Sequence, residues 1–283
     1  TLLSSIKPPD PWFGLRYNMN LYRGCQHQCI YCDSRSDCYG IDDFAEIQVK
    51  ANALELLPRE LAAKRERGTI GFGSMNDCYM PIEAEWQLTR RALEVIAERR
   101  FPVHVLTKSD LVVRDRDLLG RIAEVYAAVT FTITTVDDDL ARQLEPGAPP
   151  PSARLAAMGR LATDGILTGT ALMPVLPFLE DSDESISAVV QATAGAGGQY
   201  VLGAFGMTMR TGQREHFYAE LDRRFPGLRR RYETAYGDRY QCPSPRAAAL
   251  TRVFEADCRR LGLATRMPVW SGDGQTQLRL FDP

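Results

Sequence analysis

No run of 18 apolar residues occurs in this 283-residue chain, so no membrane-spanning helix is expected. The opening residues TLLSSIKPPDPWFG lack the basic-then-apolar order of a signal peptide. A cytoplasmic protein is the resulting expectation, with a true N-terminus upstream because no Met stands at position 1. Histidine is scarce, and no Cys or His follows the first cysteine group at zinc-finger spacing. A net charge of only −2 argues against a uniformly basic nucleic-acid binder. Internal repeats and low-complexity tracts are missing as well. What is present is 45% hydrophobic residues, enough to bury one large core.

Seven cysteines is an odd count, and three of them share one loop. That fits a reducing compartment and metal chemistry better than disulfides. The loop is YNMNLYRGCQHQCIYCD, Tyr17 to Asp33, in which Cys25, Cys29 and Cys32 stand as C-x3-C-x2-C. Gly24 lets the backbone turn tightly before the first cysteine, and His27 lies inside the loop. Three close thiolates suit a soft metal. An iron–sulfur cluster held by three cysteines leaves one iron open to an outside ligand, which a catalytic cluster requires. A labile zinc loop and chance proximity are the alternatives.

Beyond the loop, apolar strand-like runs alternate with helical periodicity. Helices are expected over 52–67, 83–100, 115–126, 153–164 and 182–194, and strands over 69–74, 102–109, 127–135, 167–177 and 200–209. With the strand before the loop this makes six strands, each followed by a helix or a long loop. Strict alternation implies a parallel sheet covered by helices, either open and doubly wound or curved into part of a barrel. Residues 211–283 read as a mostly helical extension, with helices over 213–225, 226–236 and 247–261 and the ending QTQLRLFDP.

With Tyr31 just before the last cysteine, the loop resembles that of the radical S-adenosylmethionine (SAM) enzymes. The flanks NLYRGC, YMPIE, LTKSDLVVRDRDLL, LEPGAPPPSARL and LMPVLPFLED resemble the spore photoproduct lyase-related branch, often labelled DNA repair photolyase, over roughly Tyr17 to Arg210. The resemblance implies an α/β fold, a partial (β/α)6 TIM-type barrel over 1–210 with the extension 211–283 packed on it. It implies chemistry at the C-terminal strand ends, a [4Fe-4S] cluster on Cys25, Cys29 and Cys32, and SAM as second cofactor. An electron donor such as ferredoxin or flavodoxin would reduce the cluster.

Carried over residue by residue, the resemblance assigns the strand ends. Ser74, Asn76 and Asp77 in GSMND would meet the SAM amino group, and Lys108 the SAM carboxylate. Thr132 and Thr134 would face the lumen near carboxylate or ribose, Met173 would lie near adenine, and Tyr31 would pack against cluster and adenine. Spore photoproduct lyase keeps a hydrogen-donating cysteine just after the second strand, where this chain has Ser74. Cys78, four residues on, is therefore the expected donor. For these positions the bland readings are ordinary turns, β-formers and core packing.

Charge is unevenly placed: residues 203–283 hold 14 Arg, no Lys and 9 acidic residues, a balance of +5, which leaves 1–202 at −7. The run DRRFPGLRRRY, with Tyr218, Phe225, Tyr232, Tyr236 and Tyr240 interleaved, is a candidate DNA or RNA surface; a solvated, ion-paired helix face is the alternative. Cys38, Cys242 and Cys258 read as core residues or as ligands of a second metal centre. The expected function is a lyase-like radical SAM enzyme acting on a nucleic-acid lesion. A peptide or small metabolite as substrate, and a non-catalytic metal-binding protein, are the rival readings.

Overall fold

The computed structural model describes residues 1–272, so the ending QTQLRLFDP lies outside the described residues. Its strands are β1 (Leu3–Ser5), β2 (Leu15–Met19), β3 (Tyr22–Arg23), β4 (Gln48–Val49), β5 (Thr69–Phe72), β6 (Val103–Thr107), β7 (Ala127–Thr132), β8 (Leu167–Leu172), β9 (Tyr200–Gly203), β10 (Gly206–Thr208) and β11 (Gln241–Pro243). Between them run α1 (Ala53–Ala62), α2 (Glu83–Trp86), α3 (Leu88–Arg99), α4 (Arg116–Ala123), α5 (Asp138–Leu144), α6 (Pro151–Thr163), α7 (Asp183–Gly195), α8 (Gln213–Arg224), α9 (Leu228–Tyr236) and α10 (Ala247–Leu261).

The main sheet has the order β1-β2-β5-β6-β7-β8-β9. From β2 to β9 all neighbours are parallel, and β1 adds an antiparallel edge. Each new parallel strand joins beside the one before it, so the sheet winds one way only. A doubly wound sheet needs a reversal of strand order, and none occurs here. Single winding gives the curved barrel type, and β2 and β9 are not paired, which leaves it open. Every residue of β7 and β8 is buried, as strands covered on both faces require.

Local chemistry sets most helix bounds. Ser182 caps α7 by accepting from Ser185 N, Asp137 caps α5 by accepting from Asp139 and Leu140 N, and Pro151 opens α6. The expected helix over 83–100 is in fact two, broken at Gln87, whose φ of 48° is left-handed. The run expected over 200–209 also divides, because Gly206 turns the chain out of the sheet to pair β10 with β11. The extension then packs on the cysteine loop: Cys29, Ile30 and Tyr31 share one apolar cluster with Phe217, Tyr218, Leu221, Tyr232, Tyr236 and Cys242.

Candidate active site

The three loop cysteines open on one cavity at the C-terminal end of the sheet, of about 180 Å³. It is also lined by Ser34, Ser74, Asn76, Asp77, Lys108, Thr132 and Met173. Ser34 follows the last loop cysteine, and the others come from the ends of β5, β6, β7 and β8, the face where barrels of this kind carry their chemistry. Gly24, at φ 81°, makes the approach to Cys25: a Cβ there would lie 2.7 Å from Glu46 O. Cys25 N then donates to Phe44 O at 3.2 Å, and Ile30 N to Leu144 O at 2.9 Å.

Asp77 anchors this arrangement from the end of β5. Its Oδ1 accepts from Tyr79 N at 2.9 Å and Thr107 Oγ1 at 2.7 Å, and its Oδ2 accepts from Lys108 N at 2.6 Å. His27 Nε2 lies 3.1 Å from the same Oδ2, while its Nδ1 donates to Gly147 O at 3.0 Å. Burial pushes the Asp77 carboxyl up, but the His27 charge and these donors outweigh it and hold the group at about 2. Gly147 is needed for the loop contact, since a Cβ would fall 2.1 Å from Gln26 O.

A second buried network surrounds Lys108. Glu145 accepts from Tyr31 Oη and pairs with Arg154 Nη2 at 2.5 Å; Lys108 Nζ is 3.8 Å from its other side. The Lys108 ammonium also lies 5.7 Å from the centre of the Tyr31 ring. Arg154 donates onward to Thr132 O at 2.9 Å and Pro149 O at 2.8 Å. Burial lowers the tendency of Lys108 to stay protonated, yet Cys29 and Glu145 reverse this and its pKa is raised. Sequence reasoning missed Glu145 and Arg154, although LEPGAPPPSARL contains both. The signal was a Glu and an Arg nine residues apart across a proline-fixed loop.

Four expectations need correction or narrowing. Cys78 is buried in the core among side chains behind the sheet end and lines neither this cavity nor its neighbour, because the chain turns away after Asp77. Thr134 also misses the cavity: β7 ends at Thr132, so strand alternation no longer applies beyond it. Asp77 does line the cavity, but its oxygens are already engaged. Asn76 likewise lines it while its Nδ2 donates to Tyr22 O at 2.5 Å.

The Radical SAM superfamily profile matches residues 19–188. The chain belongs to the radical SAM superfamily. An uncharacterised protein of Mycobacterium tuberculosis is 33% identical over 229 residues, 78% of this chain and 67% of that one. Another, from Methanocaldococcus jannaschii, is 35% identical over 184 residues, 63% and 68% of the two chains. The radical SAM Nalpha-GlyT isomerase of Pseudomonas phage M6 is 26% identical over 181 residues, 64% of this chain and 37% of that one. Among solved structures, spore photoproduct lyase complexed with dinucleoside spore photoproduct superposes with a TM-score of 0.70 at 18% identity, covering 95% of this chain and 79% of that one. Another spore photoproduct lyase structure contains bound AdoMet. These structures are similar in fold.

Membership makes the protein an enzyme and implies a [4Fe-4S] cluster and SAM. Cys25, Cys29 and Cys32, three thiols opening on one cavity, fit that group. None of the seven cysteines is in a disulfide. Burial pushes Cys25 up to about 11 and raises Cys29 as well. Buried thiols of this kind become thiolates only beside strong positive charge, which a metal cluster provides. Among the described residues, no group of three His, Cys, Asp or Glu side chains is arranged to hold a single metal ion.

Next to this cavity lies a second one, of about 530 Å³, sharing Cys32, Ser34, Ser74 and Met173 with it. Its further lining is Tyr31, Asp33, Pro174, Ala204 to Thr208 and Gln241 to Pro243. Among the described residues no lysine or arginine lines it. Three of the aromatics interleaved with the arginine run are not stacking surfaces: Tyr218, Tyr232 and Tyr236 are buried in the core, whereas Phe225 is half-buried and Tyr240 exposed. Arg223 and Arg224 pair with Glu220, and Arg229 with Asp222 and Glu233. Among the described residues no helix is long and apolar enough to cross a membrane.

Proposed function

We propose that SAM occupies the cavity beneath the cysteine loop and that the reacting part of the substrate occupies the adjoining one. The observation that carries this reading is the shared wall of Cys32, Ser34, Ser74 and Met173. Cys25, Cys29 and Cys32 would hold the cluster. Lys108 would meet the SAM carboxylate, and Asn76, Ser74 and Thr132 its amino and ribose groups, with Met173 against adenine. Cluster and SAM together supply one-electron cleavage of the sulfonium and a 5′-deoxyadenosyl radical. The residues of the chain fix the distance from that radical to the substrate and keep water out.

The second cavity suits an uncharged, flat group with hydrogen-bonding edges. Met173, Pro174, Phe205 and Met207 give apolar contact, and Thr208 and Gln241 give polar partners. A pyrimidine base in a nucleic-acid lesion meets that description, and this is the substrate class we favour. Reduction by ferredoxin or flavodoxin, a cytoplasmic setting and a division into barrel 1–210 and extension 211–283 belong to the same proposal.

Buried tyrosines and paired arginines favour a second reading, a peptide or small metabolite, because they remove much of the expected nucleic-acid surface. Anaerobic reconstitution with dithionite decides the first step: formation of 5′-deoxyadenosine from SAM is expected, and none would sink the enzyme reading of this site. Pyrimidine-dimer oligonucleotides and small peptides, each offered in deuterated form, then compete. Deuterium appearing in 5′-deoxyadenosine from peptides alone would overturn the lesion assignment.

A further inference from the structure

Arg35 stands three residues after Cys32 and has no task in the site described so far. Its backbone N donates to Cys32 O at 3.2 Å. Its guanidinium lies 4.5 Å from the centre of the Phe44 ring and donates Nη2 to Gln28 Oε1, while Nε is buried without an acceptor. Gln28, between the first two cysteines, has a left-handed φ of 52°. A non-glycine residue holds that region only when its surroundings over-determine it. Here they do: Gln28 Nε2 donates to Cys25 O at 2.6 Å, and Cys25 N donates to the carbonyl of the same Phe44 at 3.2 Å. Arg35 closes the ring of contacts that keeps the turn.

Several other charges beside the loop have charged partners. His27 faces Asp77, and Lys108 and Arg154 flank Glu145, their surplus being reserved for the SAM carboxylate. Glu220, the carboxylate on the Arg35 side, is held by Arg223 and Arg224, both at 2.6 Å. Arg35 is left with neutral Gln28 as its partner.

We propose that Arg35 is a positioning residue for the cluster: it props the Gln28 turn and supplies an uncompensated positive charge that raises the reduction potential of a cluster on Cys25, Cys29 and Cys32. The inference rests on the cluster assignment above. Reduction adds one negative charge to the cluster, so a cation in partly buried surroundings favours the reduced form. Charge and solvation near the sulfurs are among the levers that set such potentials.

The test is a redox titration of reconstituted protein followed by EPR, with iron and sulfide counted on every sample. Failure of wild-type protein to hold about four of each per chain would sink the cluster assignment itself. Arg35→Met keeps length and loses charge. It is expected to load fully and to show about a tenfold lower ratio of reduced to oxidised cluster at fixed potential, or about 59 mV for one electron. Gln28→Glu leaves Arg35 in place but neutralises it, and should move the midpoint the same way. A fully loaded Arg35→Met with the wild-type midpoint would overturn the proposal. So would loss of loading in both variants, which would make the pair purely structural.

Discussion

His27 Nε2 lies 3.1 Å from Asp77 Oδ2, and this one contact ties the cysteine loop to the C-terminal end of β5. The same carboxylate accepts from Thr107 and from the Lys108 backbone, so it also fixes the end of β6. Loop, second strand and third strand are therefore registered by a single buried side chain. The geometry of the cavity beneath the cysteine loop depends on it.

Asp77→Asn should accordingly loosen the loop without touching a cysteine. Losing the hydrogen bonds of a buried carboxylate costs roughly 1.5–3 kcal/mol, and denaturant unfolding of the metal-free protein measures it. The sign with pH follows from the depressed carboxyl. Its contribution is present above the unfolded value of 3.8 and is lost as pH falls through about 2. Asp77→Asn should remove that acid-limb dependence; an unchanged acid limb would mean that His27 and Asp77 do not pair in solution.

Lys108→Ala should weaken SAM binding by about one to two decades, the equivalent of roughly 1.5–3 kcal/mol for a charge-assisted contact. Isothermal titration with reconstituted protein reads it. Glu145→Gln is the informative companion. It releases Lys108 from its partner at 3.8 Å while keeping a hydrogen-bonding group beside Tyr31 and Arg154. Unchanged SAM affinity in Lys108→Ala would place that lysine outside the site.

The sequence was legible where chemistry is local. C-x3-C-x2-C and the β/α alternation led to the cysteine loop and to six parallel strands, because strand burial and helix periodicity are written residue by residue. Long-range pairing was not legible. Glu145 reaches Tyr31 across 114 positions, and no local pattern marks a carboxylate for that partner. Asp77 shows the same limit in another form. Its place after the second strand pointed to the cavity, but not to the four groups that already occupy its oxygens. The tyrosines of the arginine run looked exposed because their neighbours are charged, whereas helix geometry turns Tyr218, Tyr232 and Tyr236 inward.

Glu180 gives an alkaline counterpart. It is fully buried, accepts from Leu176 N at 2.9 Å, and burial raises it from 4.5 to about 8. A raised carboxyl is neutral in the fold, so its contribution is complete below pH 4.5 and is lost as pH rises towards about 8. The loss is on the order of 3–5 kcal/mol. Glu180→Gln should flatten stability across that window when melting temperature is followed against pH. A slope identical to wild type would show that Glu180 ionises without cost.

Arg229, Arg230 and Arg231 replaced together by Ala should flatten the salt dependence of any nucleic-acid binding by little more than one phosphate contact. Arg229 is spent on Asp222 and Glu233, and Arg231 lies 4.0 Å from the centre of the Phe178 ring. Each phosphate neutralised on a duplex contributes a slope of about −0.9 in log K against log salt. Fluorescence anisotropy across a salt series reads the difference. A change of three units would mean that all three arginines leave their protein partners for phosphate.

Cys78→Ala should leave chemistry alone and cost stability. The thiol is buried among core side chains, and the carbonyl of the same residue accepts from Thr89 Oγ1 at 2.7 Å. Neither cavity is lined by it, so a substrate radical in the second cavity has no direct path to its S–H bond. Deleting one buried heavy atom from such a site costs about 1 kcal/mol, while the rate of 5′-deoxyadenosine formation and the product pattern should match wild type. Loss of product with retained SAM cleavage would instead make Cys78 the hydrogen donor, and would require the turn after Asp77 to rearrange when substrate binds.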